Sequence, residues 1–264
     1  MSSSSIDKPA VSHDLDFDNK EHESIRIDGA GNEFVIIGNK KYYRHELMMA
    51  FGGTLNPERY APYPVHQFGN ASAMGLCAFS MTTFVLGLYL AGAMGIAVPN
   101  VVVSLTFFYG GVVQMLAGVY EILIGNTFAA TAFASYGPFW MSYGAIFVDN
   151  FGITAAYEDE PEQLANATGF FLVGWAIFTF LLLLCTLKST VMFVALFLTL
   201  DLAFILLAAA NMTGKTLITK AGGVMAVISA CCGWYNAFAG VSTKHNSYLR
   251  ANPVLLPIIG GGNS

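Results

Sequence analysis

Two carboxylates interrupt apolar sequence in this 264-residue chain, Glu121 and Asp201. A carboxylate at the centre of a bilayer costs ~2.5–3.5 kcal/mol to insert, so one retained there faces a cavity, a partner or a proton. Asp201 lies near the middle of VMFVALFLTLDLAFILLAAA and would carry that cost. Glu121 lies near the end of its run, where an interfacial position would make it cheap. Both are candidates for proton or polar coupling. No His-Glu-His, Gly-x-Ser-x-Gly or adjacent Asp-Asp cluster accompanies them, so an intramembrane enzyme is disfavoured.

Neutral polar and small residues recur at helical intervals. Gly110, Gln114 and Gly118 fall at i, i+4 and i+8, as do Thr127, Thr131 and Ser135; Gly87, Ala91 and Gly95 form a stripe of the small-xxx-small kind. Any one stripe is explained as readily by tight packing, but several together read as a narrow, partly polar path for a small solute. Aromatic residues, among them Phe79, Phe108, Tyr109, Tyr136, Trp140, Trp175 and Trp234, lie among these stripes. A few could form an apolar constriction that excludes hydrated ions.

These residues need long apolar elements to position them. Hydrophobic residues make up 55% of the chain and charged residues 11%, against roughly 25% charged in soluble domains. Six runs approach the ~20 residues a membrane helix needs: about 71–95, 101–124, 127–148, 167–187, 190–210 and 220–241. The expected fold is all-α, a six-transmembrane-helix bundle over 66–242. A tail over 1–65 precedes it and another over 243–264 follows. Lys and Arg in short loops place both termini in the cytoplasm, and the polar start of the chain offers no signal peptide. Residues 1–35 read as disordered, with Ser2–Ser5 as candidate phosphorylation sites, and 41–53 reads equally as a short helix on the membrane surface or as an ordinary amphipathic turn in a flexible tail.

The acidic loop before Asn166 is expected outside, with the sequons at Asn166 and Asn211 unused because both adjoin helix ends. The net charge of −5 and scattered basic residues exclude nucleic acid as a partner. Four cysteines, at 77, 185, 231 and 232, lie in apolar runs without metal-ligand spacing, so neither a metal nor another cofactor is expected. Asn70 and Ser72, at the threshold of the first run, read as its cap or first turn, with Gly75 permitting close approach.

The blocks FYGGVVQMLAGVYE (108–121), GNTFAATAFASYGPFW (125–140), GWAIFTF (174–180) and CTLKST (185–190), followed by NMTG, AGG and CGWYNAFAG, resemble the acetate uptake transporter family, the SatP/YaaH-like group. AFGGTLNP at 50–57 looks like the cytoplasmic N-terminus of its fungal acetate and ammonia-export members. The resemblance, over about 41–250, implies a six-helix protomer in a hexameric ring, each protomer with its own path, in the plasma membrane. It implies acetate and similar monocarboxylates as substrates, proton coupling, and in fungal members a link to ammonium export. The family's pore constriction falls on Phe79, Tyr136 and Leu200, with Thr82, Thr199 and Asp201 near the same level by spacing.

Oxyanion recognition would come from hydroxyls, amides and helix N-terminal N–H groups near Asn70 and Asn126. Where family members carry Asn-Pro-Ala-Pro-Leu-Gly-Leu, this chain reads Asn70-Ala-Ser-Ala-Met-Gly-Leu76. Loss of both prolines restores two N–H groups and frees φ, which lets the first helix begin earlier. The altered motif keeps a second reading open, a non-transporting membrane sensor or regulator of the acetate response. An aquaporin-type channel would want two Asn-Pro-Ala motifs, and neither is intact.

Overall fold

The computed structural model describes residues 25–29, 31–47 and 69–257. The chain divides into two units, one up to Gln67 and one from Phe68 onward.

The first unit departs from the all-α expectation. Strands β1 (Arg26–Asp28), β2 (Phe34–Ile37) and β3 (Lys40–Tyr43) form an antiparallel sheet in the order β1-β2-β3. Gly38 and Asn39 connect the pair that ends at Ile37↔Lys40, and Gly38 takes the positive φ of 60° that a two-residue hairpin turn requires. Lys41 Nζ reaches Asp28 Oδ2 at 2.8 Å and lies 4.0 Å from the centre of the Phe34 ring. The Lys41 hydrogen bond holds the Asp28 carboxyl below the usual carboxylate range. Part of the stretch read as disordered is therefore sheet, because the apolar run Phe34–Ile37, rich in β-branched residues, pairs across the Gly38-Asn39 turn with β3. The surface helix expected over 41–53 begins instead as β3, with helix only at 44–47 among the described residues. Its remainder, Ser2–Ser5 and the 50–57 block lie outside the described residues.

Among the described residues, the second unit is a bundle of six long helices. They are α1 (Ala71–Ala91), α2 (Val101–Leu123), α3 (Thr127–Ala145), α4 (Pro161–Thr186), α5 (Val191–Thr213) and α6 (Thr216–Val241). All but α3 are long and apolar enough to cross a membrane. At 1.5 Å per residue the 21 residues of α1 reach about 31 Å, the thickness of a hydrocarbon core. The 19-residue α3 is diluted by Ser, Thr and Gly and contains Pro138. In the contact network α1 packs on α6, α5 on both α4 and α6, and α2 on α3.

Several boundaries differ from those expected. α1 starts directly at Ala71 and stops at Gly92, whose φ of +81° ends the helix in the left-handed turn that glycine tolerates. Gly95 therefore leaves the packing stripe: it sits past the helix end with φ +67° and open space around it. Gly87 keeps its role, since a Cβ there would come within 2.9 Å of the Gly223 carbonyl on α6. α4 begins at Pro161, a residue pre-set for a first helical turn. The sequon residues Asn166 and Asn211 thus fall inside α4 and α5.

Phe108–Val113 of α2 is wound as a π-helix. The wider turn alters the register between Gly110 and Gln114, and such segments often mark functional sites. Gly110 sits against Thr82 of α1, whereas Gly118 sits against the Ala134 backbone of α3. The tail after α6 turns back: Leu255 bridges Thr190, with Val191 N donating to Val254 O at 2.9 Å and Leu256 N to Ser189 O at 3.0 Å.

Candidate functional site

Three cavities follow one another along the bundle. The first, about 250 Å³, is lined by Ser72, Gln114, Asn126, Phe133 and Phe193 among others. The second, about 30 Å³, is lined by Thr83, Leu86, Trp140, Tyr143 and Phe204 among others. The third, about 400 Å³, reaches Asn211, Thr216 and Thr219. α1, α3 and α5 contribute to them in ascending residue order, so the three helices run alongside the path in the same direction.

Phe79, Tyr136 and Leu200 line both the first and the second cavity. They form the layer between them, one residue from each of these three helices. All are buried, and the rings of Phe79 and Tyr136 lie 6.3 Å apart. The layer has its own supports. Gly233 of α6 leaves room for Ser80 and the Phe79 ring. Tyr136 packs edge-on against Phe178 at 5.4 Å. Its hydroxyl lies 2.8 Å from Thr179 Oγ1, which in turn donates to the Trp175 carbonyl at 2.7 Å. With the Thr179 proton committed there, Tyr136 is the donor and Thr179 the acceptor.

The polar residues expected on the path separate into two groups. Gln114 is fully buried, lines the first cavity and has no partner for either amide atom. Leaving a buried donor or acceptor unmet costs about 1–3 kcal/mol, so this amide is open to an occupant. Asn126 also lines that cavity while its Oδ1 caps α3 by accepting from Ala129 N at 3.3 Å. Gly75 makes room for the Phe133 ring.

The others lie off the cavities. Asn70 precedes α1 without capping it; its Nδ2 donates to Gly240 O at 3.2 Å and ties α1 to the end of α6. Thr82 and Thr199 return their hydroxyls to Ala78 O and Ala195 O. Thr131 is exposed and bonded to Thr127 O, and Ser135 is half-buried beside it. The Thr127–Thr131–Ser135 face is thus turned away, and the apolar face one residue on, through Phe128, Ala132 and Tyr136, lines the cavities.

Glu121 is fully buried within the bundle, and Ser72 Oγ donates to its Oε1 at 2.7 Å, joining the start of α1 to the end of α2. Oε2 has no partner. Asp201 follows Leu200, is buried, and leaves Oδ1 unpartnered. The sequence reading did not find Thr179, Thr83 or Gly223. Thr83 had a usable signal, since it lies one helical turn after Phe79.

Apolar helices around an internal path, closed by one layer of two rings and a leucine, define an integral membrane protein. Residues 51–258 match the GPR1/FUN34/yaaH family, and the chain belongs to that family. The chain is 53% identical over 229 residues to ammonia transport outward protein 2 of Saccharomyces cerevisiae, covering 87% of this chain and 81% of that one. It is 42% identical over 215 residues to acetate permease A of Emericella nidulans, covering 78% and 72%. Among solved structures, the bacterial acetate channel SatP matches with a TM-score of 0.60 and 34% identity, over 66% of this chain and 93% of that one.

Proposed function

We propose that this protein carries acetate and similar short monocarboxylates across a membrane along the three cavities, through the Phe79–Tyr136–Leu200 layer. The observation that carries the reading is that Phe79, Tyr136 and Leu200 are the residues that line both the first and the second cavity. Related proteins named as an acetate permease and an acetate channel support the substrate. A further link to ammonium export follows from the name of the yeast relative.

In this reading α3 is the sixth span, held in the bundle by its seam with α2, and both termini face the cytoplasm of a plasma-membrane protein. Six copies form a ring with one path in each. Gln114 and Asn126 offer amide donors to the carboxylate in the first cavity, and among the described residues no Lys, Arg or His lines it. Neutral donors bind an anion weakly, which suits release and conduction. Transport is coupled to protons, with Glu121 and Asp201 as the carboxylates available to carry them.

The test is uptake of radiolabelled acetate into proteoliposomes. The protein is expected to catalyse saturable uptake, competed by propionate, and Phe79→Ala and Tyr136→Ala are expected to change its rate or selectivity. Restoring both prolines, Ala71→Pro with Ala73→Pro, is expected to keep uptake, because the first helical turn needs no N–H donors. A parent that is silent while the proline variant transports would replace this reading with the sensor.

A further inference from the structure

The two ends of the helical unit carry opposite charge. At the end where α1, α3 and α5 begin, Lys188, Lys244 and Arg250 are exposed, and among the described residues there the only acid, Glu121, is buried against Ser72. The opposite end carries five acids, from Asp149 to Glu162, against Lys215 and Lys220. Lys244 and Arg250 belong to the tail that follows α6, which contains no acid from Ser242 to Pro257.

That tail is tied to the bundle at both of its ends. Asn246 Nδ2 donates to Val241 O at 3.0 Å while its Oδ1 accepts from Thr243 N at 2.7 Å, which turns the chain back at the last turn of α6. Further on, Tyr235 donates its hydroxyl to Asn252 O at 3.2 Å, and Val254 and Leu256 are hydrogen-bonded to Val191 and Ser189 at the start of α5. Between and beside these ties large apolar side chains stand outward: Tyr248 is fully exposed, Leu249 75% and Leu255 73%. Lys188, Lys244 and Arg250 have no ion pair among the described residues.

Helix length places these ties in the bilayer. The 26 residues of α6 rise about 39 Å and the 23 of α5 about 35 Å, so both outrun a hydrocarbon core of about 30 Å and end among the headgroups. We infer that the tail from Ser242 to Pro257 docks on anionic phospholipid headgroups around this end of the bundle, with Lys188, Lys244 and Arg250 meeting the lipid's negative groups while Tyr248 and Leu249 enter the interface. Tyrosine favours that layer, having an apolar ring and a polar tip. Each cation near an anionic surface raises affinity about fivefold, too little for three to hold a free peptide firmly. A segment tied to two membrane helices meets the lipid at high effective concentration, and three then suffice. A second copy of the chain in the same orientation would bring the same cations to this level, so charge selects lipid over a neighbouring protomer.

The experiment follows chymotrypsin cleavage after Tyr248, read by mass spectrometry of the released C-terminal fragment. The full chain is placed in nanodiscs of phosphatidylcholine alone or with about 30% phosphatidylserine, and a soluble neutral substrate in the same mixture reports protease activity. Cleavage is expected to be about tenfold slower in the anionic discs than in the neutral ones. Raising the salt from about 0.1 to about 1 M shortens the screening length from about 10 to about 3 Å and should abolish the difference. The double variant Lys188→Gln, Lys244→Gln, whose changes lie on the exposed surface and away from the cut bond, is expected to reduce the ratio to about two- or threefold, and Lys188→Arg with Lys244→Arg to keep it.

Equal cleavage rates in the two lipids, with the fragment released from both, overturn the docking. Protection that is the same in both lipids and indifferent to salt also overturns it and assigns the cover to protein. A lipid difference that survives high salt or the glutamine pair overturns the part given to these cations. Acetate flux enters none of these measurements, so the outcome leaves the transport reading where it stands.

Discussion

Thr179 reaches Tyr136 from α4 and accepts the hydrogen bond of its hydroxyl. Thr179→Val keeps the shape and orphans that hydroxyl in an apolar setting, at a cost of about 1–3 kcal/mol. The expected outcome is a lower melting temperature for the purified protein and a higher propionate-to-acetate flux ratio as the ring loses its anchor, with Thr179→Ser close to the parent. Glu121 poses a different question, since its Oε1 accepts from Ser72 while Oε2 is unmet. Glu121→Gln keeps an acceptor for Ser72 and removes the titratable proton. If this carboxylate carries the coupled proton, uptake by Glu121→Gln should no longer accelerate with an inward acid gradient, measured as initial rate against external pH. Glu121→Ala should instead lower stability, because it leaves both a void and an unpaired Ser72.

The helices approach closely enough to build these contacts because glycines stand where they cross. Gly87 and Gly223 face each other at the α1–α6 crossing, where a Cβ on Gly223 would lie 2.7 Å from the Gly87 carbonyl. Gly223→Val forces α1 and α6 apart, an overpacking worth about 1–3 kcal/mol. Loss of monodisperse protein on detergent extraction, read by size-exclusion chromatography, is the expected result. Gly95→Ala serves as the contrast. Its neighbourhood is empty, so only its positive φ resists, and the protein should still elute as a single species.

For the molecule as a whole, the described residues that line the three cavities lie between Ser72 and Ala226, within the helical unit. Deleting residues 1–47, sheet included, should therefore leave acetate uptake in proteoliposomes near the parent value. A large loss would mean the N-terminal unit takes part in transport. Protease sites placed at the two ends should both be cut only from the cytoplasmic side of intact cells if α3 crosses as the sixth span. Cleavage of one end from outside would remove α3 from the membrane.

Much of this architecture was legible in the residues themselves. Apolar runs of about 20 residues can satisfy their backbone in lipid only as helices, so the helical segments stood out, although loops and caps moved their ends by several residues. Phe79, Tyr136 and Leu200 were reachable through motif resemblance, and the structure places all three in one layer. The sheet at 26–43 was hidden because its strands are only three or four residues long, too short for a strand period to stand out. Thr131 and Ser135 were misread for another reason: a period of four selects a face but not the direction it points, and neighbouring helices settle that. Composition and periodicity thus determined that the chain forms membrane helices carrying small and polar residues at intervals. Which of those residues meet, that Ser72 finds Glu121, that Thr179 holds Tyr136, and that Thr83 and Trp140 share one cavity, depends on contacts 43 to 57 residues apart in the chain, and packing alone brings such distant residues together.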